Sequence, residues 1–197
     1  MPTEICKAWK SISLAGALAG LIALPGIGHA QTIAGQASAV TAVVFGQVTS
    51  LANTGTLTSA SEPLGTGQAT GSLPGLLGAE ALHAVTMGWS DQVYSESSLA
   101  NLGLTVAGVG ITASTVLSRA LATAGGSIGQ GRVEGLTIGG VPVTVTGAPN
   151  QAISLLGLSV ILNEQTQSAG GIVVNALRVR SLNGLTDVAV GSSRAGI

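Results

Sequence analysis

Residues 103–112 read GLTVAGVGIT, and residues 135–144 read GLTIGGVPVT. The two stretches lie 32 residues apart, and six of their ten positions are identical. Each is a few apolar and Thr residues, a Gly-centred reversal and a second β-favouring run, the pattern of two strands joined by a tight turn. One difference matters. Pro142 replaces Gly110 and removes a backbone donor, which predicts that the outer strand of the second hairpin lies at a sheet edge or bulge, where a partner would add.

The composition agrees with thin, closely layered β-structure. Gly is 30 of 197 residues, about twice its usual share. Aromatics are 2% and charged residues 8%, while hydrophobic residues reach 46%, too many for a disordered chain. The length suits one substantial core rather than two. A net charge of −1 offers no electrostatic argument for nucleic acid or an anionic membrane surface.

Lys7 and Lys10, the apolar run 11–24 (SISLAGALAGLIAL) and the small residues Gly28 and Ala30 have the form of a secretory signal peptide cleaved after Ala30. Fourteen residues are short for a bilayer span. Cys6 precedes the apolar run, which does not fit a lipoprotein signal. The expected organisation is a signal peptide over 1–30 and a single β-rich domain over 31–197, with no stable membrane span after cleavage. Without Lys7, Lys10 and Glu4, five Arg and seven acidic residues remain, with no Lys and no Cys. Such an exported domain has no disulfide and depends on packing and ladder hydrogen bonds.

Along that domain, residues 38–52 (SAVTAVVFGQVTSLA) read as one strong strand with Phe45, the only Phe, filling the core. Residues 53–79 read as a surface excursion broken by Gly and Pro, with short strands at 56–59 and 68–73. Residues 80–99 alternate again: Leu82, Ala84 and Thr86 on one face, His83, Val85 and Met87 on the other. Further strands are expected after each hairpin copy, over 152–162 as one strand or a pair, over 172–180 and over 185–190. Residues 163–171 read as a polar connector, GAPN at 147–150 as a turn, and Asn183–Gly184 as the strongest tight-turn signal. No capped apolar run with a 3.6 period follows residue 30. The expected fold is all-β: an antiparallel sandwich-like or solenoid-like stack of about ten short strands.

The inventory of reactive groups is sparse. His83 is the single His after residue 30, and Cys is absent there, so one protomer builds no multi-histidine or thiolate metal site. Asp91 and Glu96 are the nearest carboxylate pair, with no calcium-loop spacing. Among Glu62, Glu80, Asp91, Glu96, Glu134, Glu164 and Asp187, nothing selects an acid–base couple. No G-x-S-x-G elbow accompanies the abundant Ser. GGSIGQG at 125–131 lacks the Lys and helix of a phosphate loop and reads as a flexible hairpin loop. Arg178 and Arg180 share a strand face and read as solvated. Trp89 and Tyr94 are the candidate ligand-stacking pair, suited to a small sugar patch.

Four ordered stretches carry a family resemblance: RVEGLTIGGVPVTV (132–145), VILNEQ (160–165), VNALRV (174–179) and TDVAVGSSRA (186–195). In these the chain resembles the choice-of-anchor P family of exported bacterial surface proteins, over roughly residues 38–195. The resemblance implies a secreted or cell-surface protein and structural roles for Asn163, Glu164, Gln165 and Asn175. It brings no catalytic residues. The chain departs from anchored members in ending at Ile197 without an apolar tail or sorting motif, which favours release or retention through a partner. The expected function is a secreted or surface structural protein without catalysis or cofactors, self-assembling or joined to an envelope or matrix partner through sheet edges. A carbohydrate-binding or adhesive module is the alternative.

Overall fold

The computed structural model describes residues 32–155 and 157–197; the signal peptide expected over 1–30 lies outside them. The described residues form 13 strands and no helix. They make two antiparallel sheets that pack face to face and stay open. The first has the order β10 (Gln151–Leu155), β11 (Leu158–Ser168), β12 (Gly171–Ser181), β13 (Thr186–Gly196), β1 (Ala34–Val44), β2 (Gln47–Asn53). The second has the order β3 (Ser61–Leu73), β4 (Leu77–Gly88), β5 (Gln92–Val106), β6 (Val109–Thr123), β8 (Thr137–Ile138), β9 (Val141–Pro142). Strand β7 (Gly126–Glu134) pairs with the far half of β6.

Both repeat copies are hairpins. Ala107–Gly108 and Gly139–Gly140 occupy the left-handed region at both turn positions, as a type I′ turn requires. The copies also pair with each other, Ile111 opposite Ile138 and Thr112 opposite Thr137, with their threonine hydroxyls 2.8 Å apart. Pro142 lies on β9, at the edge of the sheet, where its missing N–H costs no ladder bond.

The alternation of buried and exposed side chains changes phase once along the strands. On β5 the inward residues are Val93, Ser95, Ser97 and Leu99, then Leu102, Leu104 and Val106. On β6 they are Ile111 and Ala113, then Val116, Ser118, Ala120 and Ala122. Left-handed residues mark the shift: Ala81, Asn101 and Gly135 in one sheet, and Ala52, Gly191, Asn163 and Asn150 in the other. The pairings that flank the shift (Ser38–Asn53, Ser38–Ser192, Asn175–Ser192, Glu164–Asn175) place it on consecutive neighbours. The result is a crease running across the strands.

Several expectations need correction. The strands number 13, not about ten, and β5 and β6 are 15 residues long, about 50 Å each. The solenoid-like alternative gives way to two facing sheets. Residues 38–52 are a hairpin, not one strand. Its turn is Phe45–Gly46, both left-handed, and Phe45 is 74% exposed instead of buried. Residues 61–73 are one long edge strand, because their Gly and Thr residues need no core to pack against when only β4 lies beside them. The polar stretch 163–168 continues β11. In the glycine-rich 125–131, only the start is turn; Gly129 and Gly131 sit in β7, where an added Cβ would strike the facing sheet.

A bulky residue in the left-handed region costs about 1 kcal/mol relative to Asn or Gly. Phe45→Asn should therefore raise the urea unfolding free energy by about 0.5–1 kcal/mol. A core Phe would instead lose several kcal/mol on the same substitution.

Candidate functional site

Between the sheets, two apolar clusters are separated by a layer of hydroxyls. The larger is built around Leu82, Leu104, Ile111, Leu162 and Leu177, the smaller around Ile33, Leu57, Val93, Ile172 and Val174. Thr86, Ser95, Ser97, Ser118 and Ser193 are fully buried. Ser95 donates to the Arg194 carbonyl at 2.6 Å and shares a hydrogen bond with Thr86 at 2.7 Å. Ser97 donates to the Ser192 carbonyl at 3.1 Å, and Ser118 lies 2.9 Å from Ser97 and 2.6 Å from Ser193. These bonds join β5 and β6 to β13 directly, and β4 to it through Ser95. Among the described residues no buried side-chain polar atom lacks a partner.

A second set of bonds closes one flank. Beyond Leu162, β11 has no further strand on its outer side, since β10 pairs only with its first half. The side chains of Asn163, Gln165 and Gln167 reach across to β7. Gly131 N–H donates to Asn163 Oδ1 at 2.7 Å, Gln165 Nε2 donates to the Gly129 carbonyl at 3.0 Å, and Gln167 Nε2 to the Ser127 carbonyl at 3.2 Å. Asn163 also donates to the Gly147 carbonyl at 2.9 Å. A Cβ on Gly131 would stand 2.9 Å from the Cα atoms of Asn163 and Ala176, so only Gly permits this approach.

The ionic groups are largely matched on the outer faces. Arg178 holds Asp187 through two bonds of 2.9 and 2.6 Å and reaches Glu164 at 3.1 Å. Arg180 meets the same two carboxylates at 3.3 Å, and Asn175 donates to Glu164 at 2.7 Å. The Arg178 bonds hold the Asp187 carboxyl below its ordinary range and push the guanidinium up. The neighbouring Arg178 and Arg180 are thus bound into a network rather than freely solvated.

On the other outer face, Glu96 accepts from the Tyr94 hydroxyl and from Arg119 Nε, the latter at 2.6 Å. Burial alone would raise the Glu96 carboxyl, but those two bonds hold it below its usual value. Burial, and then the Glu96 hydrogen bond and charge, push the Tyr94 phenol up to about 12.

The candidate stacking pair occupies different settings. Trp89 is in the β4–β5 turn, 43% exposed, its backbone N–H donating to the Gln92 carbonyl at 2.8 Å. Tyr94 is on β5 opposite Met87 and Leu121. The shallow groove beside it is lined by Arg119, Leu121, Ile128 and Gln130, and not by Trp89. His83 is exposed on β4, and Asp91 is exposed in the turn. Among the described residues there is no group of three or more His, Cys, Asp or Glu able to hold a metal. Among the described residues no helix is long and apolar enough to cross a membrane.

The hydroxyl layer is not among the sites that the sequence analysis singles out. Its signal was there: Ser95 and Ser97 share the inward parity of Val93 and Leu99. In comparisons with known proteins, the chain matches no family model, no curated protein and no solved structure.

Tyr94 is the only Tyr, so ultraviolet absorbance reads it alone. Its midpoint should fall near 12, against about 10 for a free phenol, and Glu96→Gln should lower it. Because the folded value is the higher one, the associated stability is present below about pH 10 and is lost as pH rises towards 12. Asn163→Ala should cost about 2–3 kcal/mol in denaturant unfolding, since it leaves the Gly131 N–H buried and unpaired.

Proposed function

We propose that the domain is an exported structural protein of the cell surface or extracellular matrix that acts by assembly, not catalysis. The observation that carries this reading is strand β3. It is 13 residues long, is bonded on one side only, and no residue of 63–73 is buried. Residues 63–73 also contain no charge. A long edge of this kind, with free N–H and C=O groups and no Lys or Arg to repel a second strand, is a template for strand addition.

The placing of the polar groups supports the same reading. Serine hydroxyls and the amides of β11 join the sheets, and most cations are matched with carboxylates, which suits a load-bearing body. The ordered motifs resembling choice-of-anchor P proteins fit an exported surface role.

The test is light scattering of the purified protein over a concentration series, together with Gln68→Lys/Thr70→Lys on β3. The wild type should grow in mass with concentration, and the double variant should remain monomeric with an unchanged melting temperature. A wild type that stays strictly monomeric throughout would sink the assembly reading.

A further inference from the structure

The outer face of the first sheet carries a cleft of about 350 Å³ at the crease. Gln36, Ser38 and Thr41 of β1 line it, with Val173, Asn175 and Arg178 of β12 and Ala189, Ser192 and Arg194 of β13. Three cross-strand rows make it: Gln36–Arg194–Val173, Ser38–Ser192–Asn175 and Thr41–Ala189–Arg178. The short side chains at its centre, Ser38, Ala189 and Ser192, leave room between the long ones.

Its chemistry is one-sided. Two arginines line it and no carboxylate does; Glu164 and Asp187 are engaged with Arg178 but are not among the lining residues. Arg119, Arg132, Arg178 and Arg180 each meet a carboxylate, so among the described residues Arg194 is the one arginine with no ion pair. It is exposed. With the other four arginines matched, a free guanidinium at a hydroxyl- and amide-lined cleft has a recognisable use. It offers a planar, bidentate partner for an oxyanion. Around it, Thr41, Gln36 and Asn175 already donate to Ser38, Asn53 and Glu164 and keep acceptor oxygens towards the cleft, while the Ser192 hydroxyl adds a further donor and acceptor, a mixed lining that suits a ligand rich in hydroxyls. The lining has no aromatic and no deep apolar pocket for a peptide side chain.

We propose that this cleft binds a carboxylate-bearing saccharide, a uronate unit of an acidic polysaccharide, with Arg194 on the carboxylate and the β1 and β13 hydroxyls on the ring. The site is separate from Trp89 and Tyr94, and from the β3 edge, so it stands or falls independently of assembly. A monomeric protein is equally able to bind.

Calorimetric titration of the full protein with a short galacturonate oligomer should give saturable binding that weakens with added salt. The neutral galactose oligomer should bind at least about tenfold more weakly, and Arg194→Gln should cost the uronate about tenfold or more, the scale of a lost charged hydrogen bond. Amide shifts of Ser192 and Arg194 in the wild-type protein should follow the titration, which tests the site even where a variant folds poorly. Equal binding of the neutral oligomer, shifts confined to other strands, or an unchanged affinity in folded Arg194→Gln would overturn the proposal. So would inorganic sulfate competing at the same concentration as the uronate, because the cleft would then read only the anion.

Discussion

The close approach of the two sheets is the constraint on which the rest depends. Around the hydroxyl layer, β13 lies near enough to β5 and β6 for a serine on one sheet to reach a backbone carbonyl on the other. Large side chains there would force the layers to the usual spacing of about 10 Å and break every one of those bonds. Gly35, Gly129 and Gly131 show the same condition, since each would collide with the facing sheet if it carried a Cβ. The low aromatic content and high glycine content are thus packing requirements. A neutral hydrogen bond contributes only about 1 kcal/mol net, but a buried hydroxyl without one is costly, so the layer also selects one alignment of the sheets over its neighbours.

The crease follows from the same packing. Straight 15-residue strands that alternate without a break would keep one set of side chains inward along about 50 Å. A single left-handed residue in a strand resets that phase. Where neighbouring strands reset together, the sheet changes phase along one line without breaking its ladder. Two of the residues that do this are alanines, Ala52 and Ala81, which gain nothing from the left-handed region by themselves. Their conformation is imposed by registry with neighbouring strands, at a local cost met by the surrounding ladder. On the inner side the line brings Gly191 against Val116 and Ala176. On the outer side it leaves the cleft that holds Arg194.

This explains which parts of the fold were legible. The paired GLT hairpins were, because a type I′ turn leaves a local mark in Gly spacing, and Pro142 marks an edge through its own missing donor. The class of fold followed from these and from β-favouring runs. The Phe45 turn was not legible: a Phe gives no turn signal, and only Gly46 beside it hinted at one. The 163–168 strand was hidden because its polar side chains bond to β7, a partner 36 residues away for Gln165, and no local pattern encodes that. Period-two reading holds on either side of the crease, as for Leu82, Ala84 and Thr86, but gives no parity across it. A phase slip of one residue makes half of any long strand look inverted.

The candidate sites divide along the same line between local and assembled information. Trp89 and Tyr94 could be picked out as the rare aromatics, yet rarity says nothing about neighbours, and Tyr94 turns out to be bound to Glu96, which also holds Arg119. Arg194 had no local distinction at all. It stands out only after the other four arginines are seen to have carboxylate partners and Arg194 is seen to line the cleft. In a protein with so few charges, the informative arginine is the one left without a carboxylate among the described residues. A guanidinium on a solvated face needs no carboxylate for stability, since exposed pairs contribute little. Its isolation therefore costs the fold almost nothing and leaves its full hydrogen-bonding capacity for whatever enters the cleft.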